Sequence, residues 1–358
     1  MNLHLLVPSL FWPGDSLPEI YRNLPLPALE TLLAKSLRTE NESQGVETWL
    51  CRAFGVAKQQ DWPVAPLTLQ ADSAGQMQVD NHYWLRADPV HLRLERNQIV
   101  LADSQIFRIT AEEAEQLADL LNWHFAADGC DLPSHHAATA RQELIFLPLA
   151  PDRWYLRVAE IPALQTHALS AVAGGNINAL LPSGTDSMHW QGLFNEVQML
   201  LHEHPLNQAR EARGELAING IWLWGGGTMP QSLNCPYTQV WSNAVLPRSL
   251  ALACATDHAA LPSTATAWCQ SAAAGNHLVM LNMLHTKTQC DDAYGWRESL
   301  KKLEQDWFAP LLAALKQGKL EQLTLTVISE RGDKNFTMTR DDLWKFWRAV
   351  KPLATYAA

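Results

Sequence analysis

Residues 204–230, HPLNQAREARGELAINGIWLWGGGTMP, gather the side chains of this chain best suited to hold an anion. Asn207, Arg210 and Arg213 stand three residues apart, so a helical segment carries both guanidinium groups on one face, where they can grip a carboxylate or phosphate in bidentate fashion. Gly225, Gly226 and Gly227 close the apolar run that follows, and glycine there lets backbone approach a ligand or take positive φ. Plainer readings accompany this one. Trp222 and Trp224 alternate along a strand and share a face, the usual place of packed core. Arg210 and Arg213 can also form a solvated face paired with Glu211 or Glu215. A second set has cation-binding side-chain types: Asp257 and His258 in ATDHAA, and His285, Asp291 and Asp292 in LNMLHTKTQCDDAYG. Adjacent residues rarely supply two ligands without partners from other strand ends. His285 reads more simply as a loop or capping residue, and the Asp291-Asp292 pair as the acidic start of a helix.

Positioning any of these requires a frame of strands and helices. Residues 3–8, LHLLVP, form an apolar run closed by Pro, the pattern of a buried strand, and LPALETLLAKSL (26–37) follows with Leu26, Leu29, Leu32 and Leu33 at helical spacing. ETWLCRAFGV reads as a second helix and HYWLRADPVHLRLERNQIVLAD as β-like runs. TAEEAEQLADLLNWHF predicts a helix capped by Thr110, with Glu113 completing a capping box. QELIFLPLA and DRWYLRVAEI read as two strands joined by a Pro-Asp turn. GLFNEVQMLLHEH (192–204) is an amphipathic helix that stops at Pro205, and INGIWLW is a strand. SLALACAT and HLVMLNML are strand-like, residues 294–318 form a long helix, and LTLTVIS is a last strand. Apolar strands alternating with helices at both ends of the chain predict an α/β fold, a mostly parallel sheet with helices on both faces. Residues 1–80 and 190–358 would build it, and the strand-rich 81–189 a smaller inserted α+β domain. The C-terminal DDLWKFWRAVK predicts an aromatic, basic helix whose Trp344 and Trp347 pack on the sheet; left exposed, they would mark a partner-binding surface.

Composition removes several function classes. Among 358 residues, 27 Lys and Arg stand against 37 Asp and Glu, a net charge of −10. That balance opposes a nucleic-acid partner, whose non-specific binders gain affinity by replacing counterions with Lys and Arg. Six cysteines with no CxxC spacing and no His clustering argue against a zinc site or a disulfide framework, and predict reduced thiols in the cytoplasm. No apolar stretch approaches the roughly 20 residues needed to span a bilayer, and MNLHLLVPSLFWPG lacks the basic region of a leader, so no membrane partner is expected.

The 204–227 block resembles the HPxN-x-x-R-x-x-x-G-x-x-x-A-N-x-x-W-x-W-G-x-G block of archaeal-type cofactor-independent phosphoglycerate mutases, with Ile218 before Asn219 where Ala is usual. WLRADPVHL, LADSQIFRITAEEAEQLADLLN and LPLPALETLLAK are similar to other segments of that family, and the whole chain looks closest to bacterial regulatory proteins of the RpfE type. The resemblance implies an alkaline-phosphatase-like sheet carrying two metal ions and a Ser nucleophile, with about six Asp and His ligands at strand ends. It also matches Arg86 and Arg108 to the family's substrate-domain arginines. The catalytic blocks depart from the pattern. Pro8, Ser9 and Leu10 stand where a metal-binding Asp closes the first strand, and no carboxylate precedes Asp15. The nucleophile loop is missing, and Ser73 lacks its context. SERGDKNFTMT, with Glu330 and Asp333, replaces an Asp-His pair after the last strand. The expected function is therefore that of a catalytically degenerate, regulatory relative without catalytic residues or cofactor. It would bind a small anionic metabolite or a protein partner, an anion being met by Asn207, Arg210, Arg213, Arg86, Arg108 and the three glycines. The alternative is a working phosphoglycerate mutase whose two divalent ions, Mn or Zn, are held by displaced ligands, Asp257, His258, His285, Asp291 and Asp292.

Overall fold

The computed structural model describes residues 1–14, 19–77, 79, 82–95, 97–126, 144–329 and 332–357; Asp15, Cys130 and Glu330 lie outside them. The strands are β1 (Asn2–Leu6), β2 (Leu37–Asn41), β3 (Tyr83–Glu95), β4 (Gln98–Ala102), β5 (Leu144–Ala150), β6 (Arg153–Val158), β7 (Gly220–Gly227), β8 (Gln239–Trp241), β9 (Asp257–Ala259), β10 (Asn276–Met280), β11 (Gln322–Val327) and β12 (Asp333–Thr339). The chain divides into two compact units, Met1–Gly55 with Leu233–Ala358, and Val56–Ser232.

The first unit is built on a seven-stranded sheet in the order β2-β12-β11-β1-β10-β8-β9. The five strands from β11 to β9 run parallel, and β12 and β2 extend the sheet antiparallel at one edge. Period-two alternation sends Leu3, Leu5 and Val7 into one core with Leu29 and Leu32 of the helix Pro27–Lys35 and with Trp296, Leu300, Trp307 and Phe308. On the opposite face the His4 ring meets Trp49 of the helix Val46–Ala53 edge-on at 5.0 Å. Both faces are thus covered, as a parallel sheet requires.

The expected long helix spans Ala293–Lys316 with a π-helical turn at Glu304–Phe308. Pro310 lies just beyond; it has no N–H to give to the preceding turn, and the widened turn accommodates its ring. The turn also aims Glu304 at the start of the helix Pro27–Lys35, where its carboxylate accepts the N–H groups of Ala28 (2.6 Å) and Leu29 (3.0 Å). SLALACAT, expected as a strand, lies mostly within the helix Val245–Ala253: Leu246 and Leu250 are buried four residues apart and Pro247 sits in the first turn. The C-terminal aromatic segment is a short 3-10 turn, Arg340–Trp344, followed by irregular chain, and Trp344, Phe346 and Trp347 are exposed.

The second unit is antiparallel. Its five strands follow the order β4-β3-β6-β5, with β7 pairing β3. β3 is long enough to serve three partners, β6 and β7 along its first half and β4 along its second. The helix Ala111–Phe125, with the expected Thr110–Glu113 capping box, and the helix Ser187–Glu203 cover one face. The helix Val64–Asp72 covers the other through Ala65 and Leu69 against Trp84 and Tyr155. The boundaries therefore fall at 55/56 and 232/233 instead of the expected 80/81 and 189/190. The reason is β7: its residues look like a parallel-sheet strand, but they pair with β3 from Val90 to Trp84, and the helices Ser187–Glu203 and Pro205–Ala212 that precede them lie in the same unit.

Candidate functional site

The helix Pro205–Ala212 begins with His204 as cap, its Nδ1 accepting the Leu206 N–H at 3.2 Å, and Pro205 at the first turn. Asn207 is fully buried. Its amide donates to the carbonyls of Leu201 (2.7 Å) and Ile218 (2.8 Å), and its carbonyl accepts the Ile218 N–H at 2.8 Å. Arg210, 1% exposed, forks onto three acceptors: Leu216 O (2.9 Å), Arg108 O (2.7 Å) and the Glu113 carboxylate (2.7 Å). Asn219 pairs its side-chain amide with both backbone groups of Leu92, as a strand residue would. The block is a knot that ties a helix end, the lead into β7, and the capping box of a distant helix.

Arg213 is half exposed and shared between Glu215 (2.8 Å) and Glu113 (3.2 Å), and the Arg108 side chain lies at the surface. Arg86 is buried and binds Asp88 through Nε (3.0 Å) and Nη2 (2.6 Å), with its guanidinium over the rings of Tyr155 and Trp224. Asp88, absent from the sequence-derived set, also accepts the Trp224 indole N–H (2.7 Å) and the Trp154 N–H (3.2 Å). Burial pushes its carboxyl up against the pull of these donors. Beside this pair, Asp72 holds Arg153 and the Tyr155 hydroxyl (2.7 Å). The donors an anion would need from Asn207, Arg210 and Arg86 are therefore already engaged inside the unit.

The three glycines serve close packing. Gly225 has φ +65°, and a Cβ on Gly226 would stand 2.5 Å from the Tyr83 hydroxyl and 2.7 Å from Leu85 Cδ2, while one on Gly227 would meet Pro63 Cβ at 2.6 Å. Gly226→Ala is expected to destabilise the second unit by about 1–3 kcal/mol through overpacking, measured by urea unfolding. An unchanged midpoint would mean that Tyr83 can swing aside.

In the first unit the carboxyl ends of the parallel strands are where ligands bind in open α/β sheets. Ser9, just past β1, sits in the left-handed region at φ +57°. Its N–H goes to Ile328 O (3.0 Å), its carbonyl accepts the Trp296 indole (2.9 Å), and its hydroxyl meets His285 Nδ1 at 3.1 Å. His285 Nε2 is buried without a partner, and burial lowers the ring's pKa. The remaining members of the cation-ligand set are dispersed. Asp257 is exposed, His258 Nε2 bonds Ser242 O (2.9 Å), and Asp291 is exposed at φ +51°. Asp292 caps the helix Ala293–Leu303 through the Gly295 N–H (2.8 Å) and pairs with Lys287. Among the described residues no group of three or more His, Cys, Asp or Glu is placed to hold a metal ion, and these described side chains do not themselves fit a two-ion centre. Ser73 closes the helix Val64–Asp72, with its hydroxyl on Gln70 O.

Two buried groups in this unit give stability opposite slopes with pH. His4 bonds Thr326 Oγ1 (2.7 Å) and the Tyr237 hydroxyl (3.0 Å), and burial lowers its pKa to about 4. Asp333, at the start of β12, has one carboxylate oxygen without a partner, and burial raises its pKa to about 6. Protonating His4 favours unfolding, so its contribution is lost as pH falls from 6.5 to about 4. Asp333 acts oppositely: its contribution is lost as pH rises from 3.8 through about 6. Asp333→Asn removes the opposing slope, at most about 1.4 kcal/mol per pH unit. The variant is expected to be more stable than wild type near neutral pH by about 1–3 kcal/mol and to lose that advantage as pH falls. Urea unfolding across this range checks it, and parallel pH profiles for the two proteins would refute it.

A mostly parallel α/β sheet covered by helices on both faces gives this chain an alkaline-phosphatase-like fold. Over 94% of its length the chain superposes on the PH0037 protein from Pyrococcus horikoshii, covering 87% of that chain, with a TM-score of 0.53 and 12% identity. Its homologues in sequence are cofactor-independent phosphoglycerate mutases, at low identity. It is 26% identical over 133 residues to the 2,3-bisphosphoglycerate-independent phosphoglycerate mutase of Methanosarcina barkeri, a match covering 37% of this chain and 30% of the relative. It is 35% identical over 60 residues to the probable enzyme of Geobacter sulfurreducens, covering 17% of this chain and 15% of the relative. The matched segments thus span less than a third of these curated relatives. No family model matches the chain. The likeness to regulatory proteins of the RpfE type has no counterpart in these matches. Among the described residues no helix is long and apolar enough to cross a membrane.

Proposed function

We propose that this chain is a phosphoglycerate-mutase-like protein that has lost phosphoryl transfer and keeps a regulatory binding role in the cytoplasm, toward a small anionic metabolite or a protein partner. The observation that carries this reading is the dispersal of the carboxylates and imidazoles. Asp292, His258 and Asp257 cap a helix, bond a backbone carbonyl and face solvent, respectively. The signature block keeps its residues because Asn207, Arg210 and Asn219 hold the second unit together, a role independent of turnover. Purified protein supplied with Mn or Zn is expected to show no interconversion of 2- and 3-phosphoglycerate and to retain no stoichiometric metal. Metal-dependent turnover would overturn the proposal. A thermal-shift screen with phosphoglycerates, phosphoenolpyruvate and nucleotides reads the retained ligand through linkage.

One observation favours the alternative, a mutase with displaced ligands: the unpartnered Nε2 of His285 beside Ser9 at the strand ends. That reading requires activity that disappears in His285→Ala and Asp291→Ala.

A further inference from the structure

The first unit ends on an open strand edge. β2, with the sequence LRTEN, pairs with β12 on one side, and among the described residues no strand pairs with the other; all five of its residues are exposed. Such an edge presents unpaired N–H and C=O groups, and proteins usually defend it with charge. Charges of one sign would oppose self-pairing, but here Arg38 and Glu40 carry opposite signs, lie symmetrically about Thr39 on one face of the pleat, and pair with each other along the free strand. We propose that two copies of this chain associate through β2, antiparallel about a two-fold axis at Thr39, joining their seven-stranded sheets into one.

A two-fold axis requires the antiparallel arrangement. It sets Arg38 of each copy against Glu40 of the other, and Leu37 against Asn41, so the strand is its own charge complement. A five-residue ladder alone falls short of the roughly 1,200–2,000 Å² that a stable interface buries. The missing apolar area lies beside it. Trp344, Phe346 and Trp347 are 78%, 87% and 68% exposed. Their segment is tied to the residues just before β2: Lys35 Nζ donates to the carbonyls of Lys345 and Arg348 at 2.7 Å, and Arg348 donates to Ser36 O. Six such rings, at roughly 150–250 Å² each, cover about 1,000 Å² across two copies. In a chain of net charge −10 this segment is locally basic, with Lys345, Arg348 and Lys351, and the antiparallel arrangement leads Glu42 of the second copy toward it.

The test is the mass in solution of the full chain, by size exclusion with light scattering over a dilution series. Wild type is expected to be dimeric. Arg38→Glu and Glu40→Arg, both at exposed positions, are each expected to raise the dissociation constant roughly tenfold or more, since each creates two like-charge pairs. The double variant, which restores opposite charges in the same register, is expected to return to the wild-type mass. Circular dichroism melts of all four proteins check that the fold is unchanged. A monomeric wild type, a dimer indifferent to both reversals, or a double variant that stays monomeric would each overturn the proposal. None of these outcomes depends on whether the catalytic centre survives.

Discussion

Asp88→Ala is expected to lower the stability of the second unit by about 3–5 kcal/mol, among the largest effects of any single substitution in this chain. The side chain is 1% exposed and collects four donors: two from Arg86, the Trp224 indole and the Trp154 N–H. Alanine leaves the Arg86 cation buried without its hydrogen-bonded carboxylate, beside the faces of Tyr155 and Trp224 and within reach of the Asp72 charge, and a cation over a ring recovers about 0.5–2 kcal/mol. It also orphans two buried N–H groups, each costing about 1–3 kcal/mol. Removing the arginine as well should recover part of the loss, because the double variant Arg86→Met, Asp88→Ala no longer buries a charge. Urea unfolding followed by tryptophan fluorescence, with both single variants and the double, gives the coupling energy directly. Losses below about 1 kcal/mol in the single variants would mean that water reaches Arg86 and that the pair is not sealed in the sheet.

That pair also shows where sequence reading stops. In WLRADPVHL, Arg86 and Asp88 alternate with apolar residues, which is how a half-exposed strand presents its charges to water. That face is buried by the helix Val64–Asp72 packed on it and by Tyr155 and Trp224 from the paired strands β6 and β7, and β7 is far away in sequence. Signals that are local were legible. The apolar run of β1, the leucine spacing of the helix Pro27–Lys35, the capping box of Thr110 and Glu113, and the Pro-Asp turn between β5 and β6 all appear where residue chemistry places them. The short run SLALACAT fits either period, and Pro247 at a first helical turn was the cue that resolves it. LRTEN has no apolar face, so β2 leaves no pattern to find. The glycines of β7 were readable as sites of close approach, but the approaching atoms are Val64, Tyr83 and Pro63 rather than a ligand. Ser9 was visible only as a missing aspartate, and its contact with His285 depends on how β1 and β10 lie side by side.

Arg210→Lys is the second large effect expected, and it separates two meanings of the signature block. The guanidinium reaches Leu216 O, Arg108 O and the Glu113 carboxylate from three different nitrogens, a fork that a compact ammonium on a flexible stem cannot reproduce. The substitution should leave at least two of these part-buried acceptors without a donor and cost about 2–4 kcal/mol. Arg213→Ala, three residues on and open to solvent, should change stability little, because its pairs with Glu215 and Glu113 are screened. A block that served as an anion cradle would behave differently. Both variants would then weaken binding of a phosphate-bearing ligand alike while leaving the unfolding midpoint near wild type, since a cradle residue kept free for a ligand contributes little to the unliganded fold. Unfolding curves measured without ligand therefore decide between knot and cradle: a large loss at Arg210 beside a negligible one at Arg213 is the pattern set by burial, and equal small losses would return the block to a binding role.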